Sequence, residues 1–305
     1  MNKRMPVDGS ISVWMQQIWV EARLRRGVVQ AAGALGALAP VLALANPTGG
    51  QVVAGTATIG TAGNGVIINQ GSQRAAINWQ QFSVGSNEYV QFNQPNSSSV
   101  VLNRVIGSNP SGIFGQIHAN GQVFLINPNG ILFAPGSSLD VSGLTASTLD
   151  ISDADFMAGR YVFSRAPGSS AATVVNQGNL QVSAGGYVVL AGDYVENDGV
   201  INAVSGRVVL AAGGAATLSL GDAGDLISYK IDAATLARLA GVDNAGSIVA
   251  NGGSVVMTAD VANALTATAV NNSGLITAHS VRQQGGEIML LSQGGDIENS
   301  GTLDA

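Results

Sequence analysis

The chain has 305 residues, of which 46% are hydrophobic, 10% are charged and 41 are glycine, and its formal net charge is −6. This composition excludes collagen and intrinsic disorder, and it favours many short strands joined by tight turns. Cysteine is absent, which excludes disulfides. An acidic chain with no basic cluster beyond its N-terminus is also poorly suited to binding nucleic acid or anionic lipid.

The first 45 residues have the layout of a secretory signal peptide. A basic region precedes residue 27, and an uncharged, mostly apolar stretch then runs to Ala43-Leu44-Ala45. We expect cleavage after Ala45, so that the mature chain begins at Asn46. A transmembrane anchor is the alternative. The stretch is only weakly apolar and near the lower length limit for spanning a bilayer, so no stable membrane insertion is expected.

Two apolar runs, residues 123–126 and 131–133, predict buried strands on either side of a turn. The turn consists of Asn127-Pro128-Asn129-Gly130. Pro128 fixes φ and lacks an N–H, while Asn129 and Gly130 tolerate positive φ, so neither a strand nor a helix can continue through these residues. The sequence leaves open whether the turn is only structural or also contacts another protein.

The second half of the chain repeats the pattern Asn-x-Gly-x-apolar. The five units begin at Asn176, Asn197, Asn244, Asn272 and Asn299. Their spacing of about 20 to 30 residues, with one longer gap, predicts a β-solenoid of about 12 coils and about 55 Å. Apolar positions alternate, and the expected inward-facing residues of one unit are Ile248, Ala250, Val255 and Met257. The repeated asparagines are expected to stack in a ladder along the axis.

Several segments are expected to depart from the regular coil. Residues 51–100 are less regular and should cap the open strand edges, with a degenerate Asn-x-Gly turn at Asn69. Ser152 should cap a short helix. A second helix is expected after Asp232 as N-cap, with Gly241 as its C′ residue. The sequence stops within a repeat unit at Ala305, so the chain is either a fragment of a longer protein or protected there in another way.

The chain lacks the residue patterns of active sites and metal sites. His118 and His279 are far apart in sequence and no cysteine is present, so no zinc site can be built. Asp153 and Asp155 are the best carboxylate pair for a glycosidase, but their spacing does not require a cleft. A turn holds the candidates for weak Ca²⁺ binding, Asp193, Glu196 and Asp198. We therefore predict no enzyme activity, no metal and no cofactor.

Three arginines, Arg104, Arg160 and Arg165, surround the turn in sequence. Buried pairing with Asp140 or Asp150 is the interpretation that we favour over ligand binding for these side chains.

The stretch from Gln91 to Tyr161 resembles the haemagglutination-activity domain, the N-terminal domain of filamentous haemagglutinin, of two-partner secretion exoproteins. Asn127-Pro128-Asn129-Gly130-Ile131 matches the family's signature. Asn93-Gln94-Pro95-Asn96, with Leu102-Asn103-Arg104, takes one of the two forms that the family shows at its second motif. The resemblance makes these motif positions candidate secretion residues, namely Asn93, Gln94, Pro95, Asn96, Asn103, Arg104, Asn127, Pro128, Asn129, Gly130 and Ile131.

The resemblance implies an all-β, right-handed parallel β-helix with an N-terminal cap and short extra-helical excursions. It also implies export through the periplasm of a Gram-negative bacterium and across a dedicated outer-membrane pore partner, whose periplasmic domains engage the unfolded chain. The expected division is a signal peptide at residues 1–45, a secretion domain at 46–165 and a repeat shaft at 166–305.

The final activity is open at this stage. A secreted adhesin or haemagglutinin, with receptors on host or bacterial surfaces, is the leading interpretation. The alternatives are a carrier for a toxin or contact-dependent inhibitor and an exoprotein that binds haem or haem carriers. No nucleic-acid partner is expected.

Overall fold

A computed structural model describes residues 46–165, 168–221, 224–232, 241–260, 268–279, 286–293 and 295–305. The chain divides into two units, residues 1–43 and 44–305, and every described residue belongs to the second. The boundary expected at residue 165 therefore lies inside one unit. The predicted signal peptide, with Ala43 and Ala45, lies outside the described residues. No helix in the described ranges is long and apolar enough to cross a membrane.

Short alternating runs form strands that stack in parallel from coil to coil, because each coil repeats the same inward-facing positions. The first stack runs β3 (Gly65–Gln70), β5 (Tyr89–Asn93), β8 (Gln116–Ala119), the first part of β11 (Ser138–Ser147), the first part of β14 (Asn179–Gly192), β16 (Val200–Asn202), β21 (Ser247–Val249), β24 (Leu275–Thr277) and β27 (Thr302–Asp304).

Two further stacks complete the wall of the helix. The second runs β4 (Arg74–Trp79), β6 (Val100–Val105), β9 (Gln122–Ile126), the later parts of β11 and β14, β17 (Arg207–Ala212), β22 (Ser254–Asp260) and β25 (Glu287–Gln293). The third runs β7 (Ser111–Ile113), β10 (Ile131–Phe133), β13 (Thr173–Asn176), β15 (Tyr194–Asn197), β20 (Gly241–Asn244), β23 (Thr268–Asn272) and β26 (Asp296–Asn299). The predicted right-handed parallel β-helix is confirmed.

The first stack has nine levels among the described residues, which corresponds to a rod of about 40 Å at the usual strand spacing. The prediction of about 12 coils was wrong. It assumed that the whole chain winds around the axis, whereas part of the chain leaves the helix.

Two antiparallel strands cap the N-terminal end. β1 (Gln51–Ala54) pairs with β4, and β2 (Ala57–Ala62) pairs with β3. The predicted cap, residues 51–100, was too long, because β3 already pairs in parallel with β5. Asn69 lies in β3 with an exposed side chain, so it does not begin the buried asparagine ladder.

Among the described residues, the excursions consist of one helix and one sheet. Helix α1 (Asp153–Met157) begins as predicted, with Ser152 Oγ accepting a hydrogen bond from the backbone N–H of Asp155 at 3.1 Å. The extra-helical sheet joins β12 (Tyr161–Ser164), β18 (Ala215–Leu220) and β19 (Leu226–Asp232), all antiparallel. The sequence did not predict this sheet.

The second helix was expected between Asp232 and Gly241. Asp232 ends strand β19, and Gly241 begins strand β20 without the positive φ that is usual for a glycine following a helix. Residues 233–240, where the helix itself was expected, lie outside the described residues.

The fold has two cores, one on each side of the second stack. The inner core fills the helix, and Ile248, Ala250, Val255 and Met257 are fully buried in it, as predicted. The outer core lies between the outer face of β6, β9, β14 and β17 and the excursions that cover this face. Its principal members are Leu102, Phe124, Ile126, Phe156, Tyr161, Phe163, Tyr187, Leu218 and Leu226.

The repeated asparagines form the predicted ladder. Each Nδ2 donates to the Oδ1 of the next asparagine at 2.7 Å, in the order Asn176, Asn197, Asn244, Asn272 and Asn299. The neighbouring glycines are needed because the coils approach closely there. A Cβ built on Gly246 would lie 2.2 Å from the carbonyl oxygen of Gly199.

Candidate functional site

The first motif folds into a turn between β9 and β10, as predicted. The N–H of Gly130 donates to the carbonyl of Asn127 at 3.1 Å, and the N–H of Asn129 donates to Asn127 Oδ1 at 2.9 Å. Gly130 has φ +114°, which side-chain-bearing residues rarely adopt. Ile131 is fully buried at the start of β10. We name residues 127–131 the first motif corner.

Both asparagines of the first motif corner bind the preceding coil. Asn127 is fully buried, and its Nδ2 donates to the carbonyl of Asn109 at 3.0 Å and to Ser111 Oγ at 2.9 Å. Asn129 is exposed, and its Nδ2 donates to the carbonyl of Gly107 at 2.9 Å. The corner therefore fixes one coil on another, and it leaves Asn129 and half-buried Pro128 accessible to solvent.

The second motif, residues 93–96, forms another corner, between β5 and β6; we name it the second motif corner. Gln94 is buried, and its backbone N–H and C=O both bind the amide of Asn120 in the next coil, at 2.7 and 2.8 Å. Gln94 Nε2 donates to Gln70 Oε1 at 3.1 Å and to the carbonyl of Gln122 at 3.2 Å. This side chain therefore links three successive coils.

The other members of the second motif corner are exposed. Asn93 Nδ2 donates to Asn69 Oδ1 at 2.8 Å, and Asn96 Nδ2 donates to Gln73 Oε1 at 3.0 Å. Pro95 is also exposed. Amide side chains at matching positions thus bind one coil to the next on the surface as well as in the interior.

Asn103 and Arg104 point to opposite sides of β6. Asn103 is fully buried in the inner core, where its Oδ1 accepts from the indole of Trp79 at 3.0 Å. Arg104 points outward and binds Asp150 at 2.8 Å, Asp153, Asn78 and the carbonyl of Ile151. It therefore fastens the start of helix α1 to the wall of the β-helix.

The charge environment keeps Arg104 protonated. Burial by itself lowers the pKa of its guanidinium, but the hydrogen bonds and negative charges of Asp153 and Asp150 outweigh burial and raise the pKa above its usual value. The predicted pairing with Asp150 is confirmed. The predicted alternative, Asp140, was wrong, because Asp140 is exposed on β11.

Arg160 and Arg165 are also paired, but the prediction of Asp140 or Asp150 as their partner was wrong. Arg160 binds Asp155 at 2.7 Å, and Arg165 donates to the buried Asp193 at 2.8 Å. Hydrogen bonds from Ser152 and from Arg160 lower the pKa of Asp155. Within the described ranges, no three His, Asp or Glu side chains are grouped to hold a metal ion. Arg165 thus pairs with Asp193, one of the three carboxylates of the candidate Ca²⁺ turn.

The two motif corners lie at opposite ends of the second stack. The first motif corner follows β9, whereas the second motif corner precedes β6, and a strand of five residues spans about 17 Å. Asn103 and Arg104 lie towards the first motif corner, since Arg104 pairs with Ile126, the last residue of β9. The structure therefore places Asn103 and Arg104 close to the first motif corner, and it keeps the two motif corners apart.

Sequence reasoning missed a buried polar column beneath the second motif corner. It contains Gln70, Gln94, Gln122 and Tyr187, and the hydroxyl of Tyr187 donates to Gln122 Oε1 at 2.9 Å. Burial, with a smaller effect from Tyr161, raises the pKa of Tyr187 far above its usual value. Glutamine recurring at 70, 94 and 122, roughly one coil apart, was the signal that could have revealed the column.

The described residues form a parallel β-helix with an antiparallel cap, and amide side chains at its corners bind one coil to the next. The model of the TPS secretion domain family matches residues 43–305. The chain therefore belongs to this family of secretion domains of exported proteins.

Curated relatives and a solved structure agree with this assignment. Two proteins from Haemophilus influenzae, one of them from strain Rd, are each named heme/hemopexin-binding protein. The chain is 34% identical to one over 215 residues and 33% identical to the other over 275 residues, covering 67% and 83% of this chain. The chain spans only 23% and 29% of the length of those relatives.

The crystal structure of the HMW1 secretion domain from Haemophilus influenzae superimposes with a TM-score of 0.72 at 36% identity. The match covers 84% of this chain and 68% of that chain.

Proposed function

We propose that this chain is the secretion domain, with the first shaft coils, of a surface exoprotein of the adhesin or haemagglutinin type. In this proposal it crosses the outer membrane of a Gram-negative bacterium through a dedicated pore partner. The observation that carries the proposal is the match of the TPS secretion domain family to residues 43–305. The motifs at residues 93–96 and 127–131 support the finer likeness to the N-terminal domain of filamentous haemagglutinin.

The chemistry of the chain suits export before folding. No disulfide can lock the chain in the periplasm, because cysteine is absent. Each coil binds mainly its neighbours, so folding can propagate along the axis once a first coil has formed. The cap and the two motif corners supply that beginning, because Gln94 and Asn127 each bind an adjacent coil.

The finer activity of the whole protein has one alternative with specific support. The two relatives named heme/hemopexin-binding protein favour binding of haem or a haem carrier over delivery of a toxin. Adhesion to host or bacterial surfaces remains our leading proposal. The HMW1 secretion domain and these relatives share this part of the chain, so the part that binds a receptor or haem would lie elsewhere in the protein.

Secretion with and without the pore partner tests the proposal. The chain would be expressed in a Gram-negative host, with or without the outer-membrane transporter encoded beside it, and quantified in the medium and the periplasm. We expect it in the medium only when the transporter is present, and with its first residue at Asn46. Equal amounts in the medium without the transporter would contradict the proposal. A chain without residues 27–45 controls for cell lysis, because it should stay in the cytoplasm.

A further inference from the structure

The extra-helical sheet joins strands that are far apart in sequence. β12 pairs with β18, so that Tyr161 lies opposite Leu218, 57 positions later. Among the described residues, the other backbone pairing of β12 is a single bridge between Asp150 and Ser164. β12 therefore cannot join the sheet until the chain is available as far as β18, which follows β13 to β17 in sequence.

The polar column under the second motif corner depends on the same late residues. Gln122 is 2% exposed, and its Nε2 donates to the carbonyl of Gly224 at 2.7 Å. Its Oε1 accepts from Tyr187, and its backbone carbonyl accepts from Gln94. Without Tyr187 and Gly224, the amide of Gln122 is either unpaired or exposed to water, and a buried unpaired amide is strongly unfavourable.

The outer core over the early coils is completed by late residues as well. Phe124, on the outer side of β9, packs against Phe156 and Phe163, with ring centroids 5.8 and 6.0 Å apart. Leu218 and Leu226, from β18 and β19, belong to the same outer core. The outer core that contains Leu102, Phe124 and Ile126 is therefore incomplete while only the first 165 residues are present.

We propose that the extra-helical sheet is a late-closing strap that locks the coils bearing the two motifs. These coils reach their final stability only when the chain is available up to about Leu226. The dependence on late residues is a property of folding alone. Its consequence for export rests on the proposed function: during transit the motif coils form first without their full stability, and they lock after residues 215–226 have crossed.

Pulse-labelling hydrogen exchange during refolding tests the strap. The purified chain is diluted from guanidinium, and protection of individual strands is followed over time. We expect the amides of β6 and β9 to become fully protected in the same kinetic phase as those of β18. Full protection of β6 and β9 in an earlier phase would overturn the proposal.

A matched pair of variants separates strap closure from general destabilisation. Leu218→Ala should delay protection of β9 by about tenfold, because a buried leucine contributes to the step that closes the outer core. Ile276→Ala, a similar truncation in the inner core of a late coil, should leave β9 at its wild-type rate. Equal delays in both variants, or no delay of β9 in Leu218→Ala, would overturn the proposal. Leu218→Val, with a smaller delay, serves if Leu218→Ala does not fold.

The experiment is independent of secretion. If the chain is not exported through a pore partner, the proposed function fails while the refolding phases can still coincide. If export is confirmed but β9 is protected before β18, only the strap fails.

Discussion

The two asparagine side chains of the first motif corner differ in burial and in the number of hydrogen bonds that they make. Asn127 is fully buried, and its amide donates two hydrogen bonds and accepts two. Asn129 is exposed, and its amide donates to Gly107 of the preceding coil and to Asn127 of its own turn. Asparagine therefore has a structural role at position 127 of the motif, whereas at position 129 its amide is largely accessible.

Truncating the two asparagines should separate these roles. Asn127→Ala leaves buried groups such as Ser111 Oγ without their partner and should lower the free energy of unfolding by about 1–3 kcal/mol. Asn129→Ala should cost less than about 1 kcal/mol, because water replaces its bond to Gly107. Guanidinium unfolding of both variants measures the difference. Equal losses would show that the burial of Asn127 is not what stabilises the corner.

Alkaline pH should destabilise the fold through Tyr187. Burial raises its pKa in the folded state, whereas in the unfolded chain a tyrosine ionises near pH 10. The stability is fully present below about pH 10 and falls as the pH rises above it, because only the unfolded state can then release the proton.

Unfolding of wild type and Tyr187→Phe between pH 7 and pH 11 measures this effect. At pH 7 the variant should be less stable, because Gln122 Oε1 loses its donor. Its stability should fall less at high pH, so that the two curves converge. Tyr89→Phe is the control for removing another tyrosine hydroxyl, since Tyr89 is half-buried and donates to the carbonyl of Ala62 at 3.0 Å. Parallel curves for wild type and Tyr187→Phe would contradict the assignment.

At the scale of elements, the asparagine ladder and the glycine column together set the distance between coils. Asn244 is the central rung, fully buried, and bonded to Asn197 below and Asn272 above. Because the coils meet so closely beside it, only a residue without Cβ fits at position 246. In each Asn-x-Gly repeat, the asparagine amide makes the hydrogen bond between coils, and the glycine allows the two coils to approach closely.

Breaking the central rung should cost more than breaking a surface amide pair. Asn244→Ala removes the bonds to both neighbours and should destabilise the protein by about 1–3 kcal/mol. Asn271→Ala is the matched control, because Asn271 is half-buried and donates to Asp243 at 3.1 Å. Thermal or guanidinium unfolding measures the loss of stability in each variant. An equal loss for the two variants would mean that the ladder adds nothing beyond a surface bond.

The glycine column has its own test. Gly246→Ala places a Cβ 2.2 Å from the carbonyl oxygen of Gly199, so the two coils must move apart, and we expect a loss of more than about 2 kcal/mol. Gly60→Ala, in cap strand β2, has open space around its Cβ and should be nearly neutral. If Gly246→Ala melts like wild type, the close approach of the coils at the ladder is not required.

At the scale of the whole molecule, the repeats predicted what is periodic and missed what is not. The ladder from Asn176 to Asn299 and the inward residues Ile248 and Val255 follow from spacing alone, because each coil repeats one local pattern. The extra-helical sheet could not be predicted in the same way. Its strands are short, and Tyr161 pairs with Leu218 across 57 positions, which no local pattern encodes.

The sequence indicated candidate motif residues but not their partners in the fold. The sequence motifs indicated Asn127, Gln94 and Arg104. The turn at Gly130 followed from the tolerance of glycine for positive φ. The partners in other coils, such as Asn109 for Asn127 and Asp153 for Arg104, depend on how coils stack and on where helix α1 returns to the wall. The miscounted coils have the same origin, because residues that leave the axis look like coil residues in the sequence.

Secretion and stability measured on the same motif variants test the central claim most directly. The claim is that the motif corners serve export by building the first coils, since Gln94, Asn103 and Asn127 are buried. For Gln94→Ala, Asn103→Ala, Asn127→Ala and Asn129→Ala, partner-dependent secretion into the medium is compared with the free energy of unfolding. The account predicts that secretion falls in the order in which stability falls, with Asn129→Ala close to wild type in both. A variant that keeps wild-type stability and loses secretion would contradict it, because that side chain would then be read directly by the pore partner.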